Sequence, residues 1–137
     1  MSDAPYLDAL QAAVAGEHAA VWASGRAAGE LSGRQRLEAR RELDAHRRAR
    51  DELRRQVTAL GVEPVEAAVA YVEPFPIEGA SGGRRLMAHV NTSLAATYAD
   101  VAAASEPAAR REPIERSSAA AVRAVEWGAS PEAFPGQ

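Results

Sequence analysis

Residues 32–61 read SGRQRLEARRELDAHRRARDELRRQVTALG, and this stretch decides the fold. Ser32-Gly33-Arg34-Gln35 has the form of a capping box, a hydroxyl followed three residues later by Gln. Gly61 stops the run after Leu60, and Pro64 follows soon after. Between these ends, Ala39, Leu43, His46, Arg50, Leu53, Val57 and Leu60 recur at alternating spacings of four and three. That is the seam of a long helix packed lengthwise against others. His46 and Arg50 interrupt the apolar seam at its middle. The other faces are charged: Arg34 to Arg55 holds nine Arg and five acids, although the chain as a whole is at −3.

The preceding segment carries a matching seam. Leu7, Leu10, Val14, Glu17, Val21, Ser24, Ala28 and Leu31 predict a first helix over 5–31, with Asp3 as cap and Pro5 in its first turn. The link Ser32-Gly33 is so short that the two helices must form an antiparallel hairpin. Glu17 lies 15 residues before Ser32 and His46 lies 13 after Gly33. At about 1.5 Å per residue, both stand roughly 20 Å from the turn. Glu17, His46 and, one turn on, Arg50 are therefore expected to form a buried polar cluster, since a lone buried charge is very costly.

Pro64, Pro74, Pro76 and Gly79 exclude a continuous helix over 61–80, apart from a short helical piece at 66–71. The length suits a crossover from one end of a bundle to the other, with Tyr71 and Phe75 as anchors. A third helix is predicted over 82–105, with the stripe Met87, Val90, Leu94, Thr97, Val101 and Ala104. A fourth is predicted over 107–127 with the seam Ile114, Ser118, Ala121 and Val125, Pro113 either starting or kinking it. Residues 128–137 read as an extended strap. The expected fold is all-α, a single four-helix bundle domain over 1–137.

Composition narrows the function classes. The 137-residue chain has no Cys, which excludes a disulfide framework and a thiolate metal site. All sixteen basic residues are Arg. The opening residues have neither a basic n-region nor an apolar h-region, and no apolar run approaches a membrane span, so a cytoplasmic protein is expected. No Gly-x-Ser-x-Gly or phosphate-binding glycine loop occurs; Gly82-Gly83 only precedes a helix. His18, about 100° off the seam, and His89 read as flanking surface or interface residues.

Two helical hairpins joined by a long crossover are the ferritin-like arrangement. Glu17-His18-Ala19-Ala20-Val21, His46-Arg47-Arg48-Ala49-Arg50-Asp51, the stretch Tyr71 to Pro76, and Ala121 to Trp127 with Phe134-Pro135-Gly136 resemble an actinobacterial ferritin-like domain family of uncharacterised function. The resemblance covers nearly the whole chain. It implies a bundle in which di-iron relatives place one Glu on each of two helices and Glu-x-x-His on each of the others. Glu17 and His46 match two of those positions. Leu43 stands where a Glu would precede His46, with Glu42 nearby on a different face. Leu94 or Thr97 replaces the helix 3 Glu, and helix 4 has no His. Arg50 adds a cation where metal would sit, so an ancestral site reads as lost.

The leading expectation is a non-catalytic structural or interaction protein, a homodimer binding no metal and no cofactor, with a charge cluster of Glu17, His46 and Arg50 fixing helix register. The second is a metal-binding or redox protein holding iron or manganese through Glu17 and His46. The third is weak nucleic-acid binding through Arg40, Arg41, Arg47, Arg48, Arg54 and Arg55. Against the third, these arginines are interleaved with acids, as in the i, i+4 pair Arg47–Asp51, and a solvated face explains them better.

Overall fold

The computed structural model describes residues 3–131. Among these it has four α-helices and no strand: α1 (Ala4–Glu30), α2 (Gly33–Ala59), α3 (Gly79–Ala104) and α4 (Arg111–Glu126), with a 3-10 turn at Pro107–Ala109. At about 1.5 Å per residue the three long helices each span about 40 Å. The closely packed pairs are α1 with α2, α1 with α3, and α3 with α4.

Lying between two partners, α1 buries more than one stripe. Leu10, Val14, Glu17, Ser24 and Ala28 lie on its expected seam, and Ala13, Ala20, Ala23 and Ala27 form a second buried row of small residues. Leu10, Val14, Leu53, Val57, Leu86, Met87, Leu94 and Tyr98 supply the large core side chains. The helices approach closely where glycine permits. Gly82 and Gly83 lie buried inside α3 rather than before it, and a Cβ on Gly83 would stand 3.0 Å from Leu31 and 3.2 Å from the Ala27 carbonyl oxygen.

The turn between α1 and α2 is built differently from the capping box. The Ser32 side chain makes no capping hydrogen bond, and Gly33 sits at φ +55, a left-handed conformation suited to glycine. Arg36 takes over: its Nε donates to the carbonyls of Ala28 (3.0 Å) and Leu31 (2.7 Å), satisfying the end of α1.

The connection between α2 and α3 contains no helix, so the expected piece at 66–71 does not form. Side chains of α1 hold its backbone instead, and in chain order. Gln11 bonds the Glu63 carbonyl and the Val65 N–H, both at 2.8 Å. His18 meets the Val65 carbonyl at 3.1 Å, Trp22 stacks on Tyr71, and Arg26 bonds Glu73 and the Ile77 carbonyl. His18 is thus buried at this contact, the interface alternative of the two expected. Phe75 is gripped between the edge of His89 and the guanidinium of Arg85. Helix α3 begins at Gly79, three residues earlier than expected, with Gly79 at φ +66 between the extended Glu78 and the helix, a conformation suited to glycine.

The fourth helix departs most from expectation. Residues 107–109 form the separate 3-10 turn, and Pro113 falls in the first turn of α4, where an amide N–H has no intrahelical partner to lose. Pro113 therefore starts the helix without kinking it. The buried face is Pro113, Ser117, Ala120, Ala124 and Trp127, one position off the expected seam. Ile114 and Val125 are exposed. Small residues let α4 settle on α3, and Ser117 Oγ donates to the Ala95 carbonyl at 2.8 Å. Within 128–131 the chain is non-helical, and the remainder of the expected strap, with Phe134-Pro135-Gly136, lies outside the described residues.

Candidate polar site between the helices

Glu17, on α1 halfway along the bundle, is 2 % exposed, and each carboxylate oxygen has a partner. His46 Nδ1 of α2 lies 2.7 Å from Oε1, and the Tyr98 hydroxyl of α3 donates to Oε2. A carboxylate only accepts, so His46 Nδ1 carries the proton between them. Three helices are therefore joined through one side chain.

Arg50 does not belong to this cluster. Its Nε pairs with Asp51 at 3.0 Å. The phenol of Tyr98, not a guanidinium, satisfies the second oxygen of Glu17. Nor is Thr97 the inward polar residue of α3: it hydrogen-bonds the Ser93 carbonyl of its own helix, and Tyr98 faces the core. The signal that could have found Tyr98 is its place four residues after Leu94 and three before Val101, where an aromatic with one donor fits a seam facing an unpaired carboxylate.

Glu42 extends the network. One turn before His46 on α2, its Oε1 stands 3.6 Å from His46 Nε2, in charge contact but beyond hydrogen-bond reach. Its two oxygens accept from Asn91 Nδ2 of α3 (2.9 Å) and from the Trp127 indole N–H just past α4. Arg123 of α4 reaches Asn91 Oδ1 at 2.9 Å and lies 3.7 Å from Glu42. Arg116, also of α4, bonds Glu112 and Glu52 and lies over the Tyr98 ring. The face expected to exclude Glu42 from the site is the one that turns toward α4.

These contacts set the charge states. Burial opposes a charge on His46, but the hydrogen bond to Glu17, the close approach of Glu42 and the charge on Glu17 outweigh it, and its pKa rises above 6.5. Burial likewise opposes ionisation of Glu42. The nearby His46 ring, the bonds from Asn91 and Trp127 and the Arg123 charge reverse this and hold it below 4.5. Burial, then the Glu17 charge, pushes Tyr98 upward, so it stays a neutral donor. The arrangement is thus a Glu17–His46 pair, its imidazole biased toward the protonated form, with a phenol on one side and a second carboxylate on the other.

Glu17 and His46 stand together as two of the residues that the ferritin-like pattern would use for metal. Among the described residues, no group of three or more His, Cys, Asp or Glu is placed to hold a metal ion. The exposed arginines of α2 are partly paired within their own helix, Arg41 to Glu38 and Arg47 to Asp44; in place of the expected Arg47–Asp51 pair, Asp51 bonds Arg50. Arg40, Arg48, Arg54 and Arg55 lie exposed beside them. Among the described residues, no helix is long and apolar enough to cross a membrane.

The fold is shared with a solved protein. The crystal structure of the conserved hypothetical protein rv2844 from Mycobacterium tuberculosis superposes with a TM-score of 0.80 at 24 % identity, over 93 % of this chain and 97 % of that one. No curated protein matches the chain. A family model described as a domain of unknown function, DUF4439, matches residues 9–137, and the chain belongs to that family.

Proposed function

We propose that the chain is a non-catalytic structural or interaction module on the ferritin-like plan, two antiparallel hairpins joined by a crossover, with a closed polar network where relatives of that plan hold metal. One observation carries this reading: both oxygens of Glu17 are already committed, to His46 and to Tyr98. Each oxygen keeps a second lone pair, but Nδ1, the His46 nitrogen that faces Glu17, carries the hydrogen of their bond and so cannot ligate, and fellow ligands must lie within about 2 Å of an ion. Helix α4 further supports the reading, since it turns Arg116 and Arg123 toward the network, cations where a metal site needs donors.

The test is metal content by mass spectrometry on protein grown with added iron and manganese, beside Glu17→Gln. The expected result is less than about a tenth of an equivalent in either protein, with a lower melting temperature in the variant. Near one equivalent, lost in Glu17→Gln, would make the chain a metal or redox protein using Glu17 and His46, and would overturn the reading.

We also propose that the module works in the cytoplasm as a homodimer. The support for pairing is the outward stripe of α4, where Ile114, Val122 and Val125 are 51 %, 58 % and 40 % exposed.

A further inference from the structure

Helices α2 and α4 face each other without belonging to the closely packed pairs. Between them opens a cleft of about 150 Å³, walled by Ala45, Ala49 and Ala119, with Glu17, Glu42, His46 and Tyr98 beneath and Arg116 and Arg123 beside it. At roughly 30 Å³ per water, this is room for a handful of heavy atoms.

The hydrogen-bonding capacity of the cleft is lopsided. Each acceptor oxygen of its floor already has a donor: Glu17 from His46 and Tyr98, Glu42 from Asn91 and Trp127. Its donors are not all matched. His46 is 2 % exposed, yet among the described residues its Nε2 has no hydrogen-bond partner. Among the same residues Arg123 commits its Nε, and Arg116 its Nε and Nη2, which leaves the remaining guanidinium N–H groups to a ligand. A buried donor left without an acceptor costs about 1–3 kcal/mol, and a bound acceptor recovers it.

The surplus specifies the ligand class. What fits is an acceptor-rich oxyanion, small enough for the cleft and carrying one charge, because Glu17 and Glu42 lie directly below and oppose a second. The alanine walls suit a short alkyl tail. We infer that the α2/α4 cleft binds a short-chain carboxylate, its oxygens held by His46 Nε2 and the guanidinium of Arg123 and its tail against Ala45, Ala49 and Ala119. Arg123 is suited to this because its planar guanidinium can offer parallel N–H groups to a carboxylate. With Nδ1–H committed to Glu17, Nε2 is the ring atom left to meet the ligand.

The inference goes beyond the module reading and can fail independently of it. The experiment is an NMR titration of the His46 ring resonances with sodium acetate at fixed ionic strength, with sodium chloride, sodium phosphate and manganese(II) as parallel arms. Acetate is expected to give a saturable His46 shift that chloride does not. Arg123→Gln should weaken it at least tenfold. Because Arg123 also supports Glu42, a second variant, Ala49→Leu, fills the cleft without removing any polar group. It should abolish the acetate shift while melting within a few degrees of wild type. No saturable shift with acetate, an equal shift with chloride, binding of phosphate in preference to acetate, or full acetate binding by Ala49→Leu would each overturn the assignment. Selective broadening of His46 by manganese would do so too, and would also count against the metal-free reading; a simple lack of acetate binding would leave that reading intact.

Discussion

At the scale of single residues, the charge on His46 ties folding to pH in a definite direction. Its pKa rises above 6.5 on folding, so its stabilising pairing is fully present below that value and is lost as the pH climbs through the folded pKa. Glu42 works in the opposite sense. Held below 4.5, it contributes fully above that value and ceases to as the pH falls through its folded pKa. Stability should therefore be greatest between about pH 4.5 and 6.5. Above this window it should fall by up to about 1.4 kcal/mol per pH unit while His46 titrates. Urea unfolding at pH 6 and pH 8.5 measures this. His46→Gln should be less stable at pH 6 and should show much less of the alkaline decline; an undiminished decline would place its source elsewhere. The pairing of Glu17 with His46 is legible from sequence because two polar breaks in two apolar seams fall at one height. The exclusion of Arg50 is not. A long flexible side chain one turn away chooses its partner by local competition, and Asp51 beside it is more accessible than a buried carboxylate that Tyr98 already serves. The apolar character of a seam gives no warning that a phenol will supply the missing donor.

At the scale of elements, packing distance separates what periodicity could locate from what it could not. All four helices lie close to where apolar spacing puts them, since long amphipathic repeats are strong signals. The facing of α4 is harder, because the stripes Ile114, Ser118, Ala121, Val125 and Pro113, Ser117, Ala120, Ala124, Trp127 are both plausible and differ by one position. The smaller side chains win the inward place because α3 and α4 come close enough for Ser117 to bond the Ala95 carbonyl. The same reasoning makes the glycines testable. Gly83 lies where α3 meets α1, with Leu31 and the Ala27 carbonyl within 3.2 Å of an added Cβ. Gly83→Ala gains up to about 1 kcal/mol in helix propensity and forces apart backbone that cannot yield cheaply, at about 1–3 kcal/mol. The net should be a loss. Gly29, helical in α1 with nothing within 4 Å of an added Cβ, is the control: Gly29→Ala should gain about 0.4–1 kcal/mol. Thermal melts of the two variants should move in opposite directions. A stabilised Gly83→Ala would mean that α1 and α3 stand farther apart than described.

At the scale of the whole molecule, the misassigned seam of α4 becomes an argument about assembly. Ile114, Ser118, Ala121 and Val125 have the four-three-four spacing of a buried stripe, yet Ile114, Val125 and the adjacent Val122 face outward. Scattered exposed apolar residues are ordinary, but residues gathered along one helix face at the spacing of a packing seam are better explained by a partner. A second copy presenting the same face would meet it under two-fold symmetry, burying both stripes at once. The stripe also borders the groove of about 350 Å³ between α3 and α4, lined by Ala95, Ala121 and Val125, which gives an opposing side chain somewhere to seat. Multi-angle light scattering at tens of micromolar should thus give about twice the 14.5 kDa chain mass. Val122→Glu adds a charge at the centre of the face, and a like charge opposes it from the symmetry-related copy. This variant should run as a monomer with a melting curve that no longer depends on protein concentration, while its circular dichroism stays that of the wild-type helices. A wild-type chain that is monomeric at these concentrations would leave the α4 stripe without its partner and would refute the dimer. A Val122→Glu protein that remains dimeric would move the interface to another face, the exposed arginines of α2 being the next to test by charge reversal.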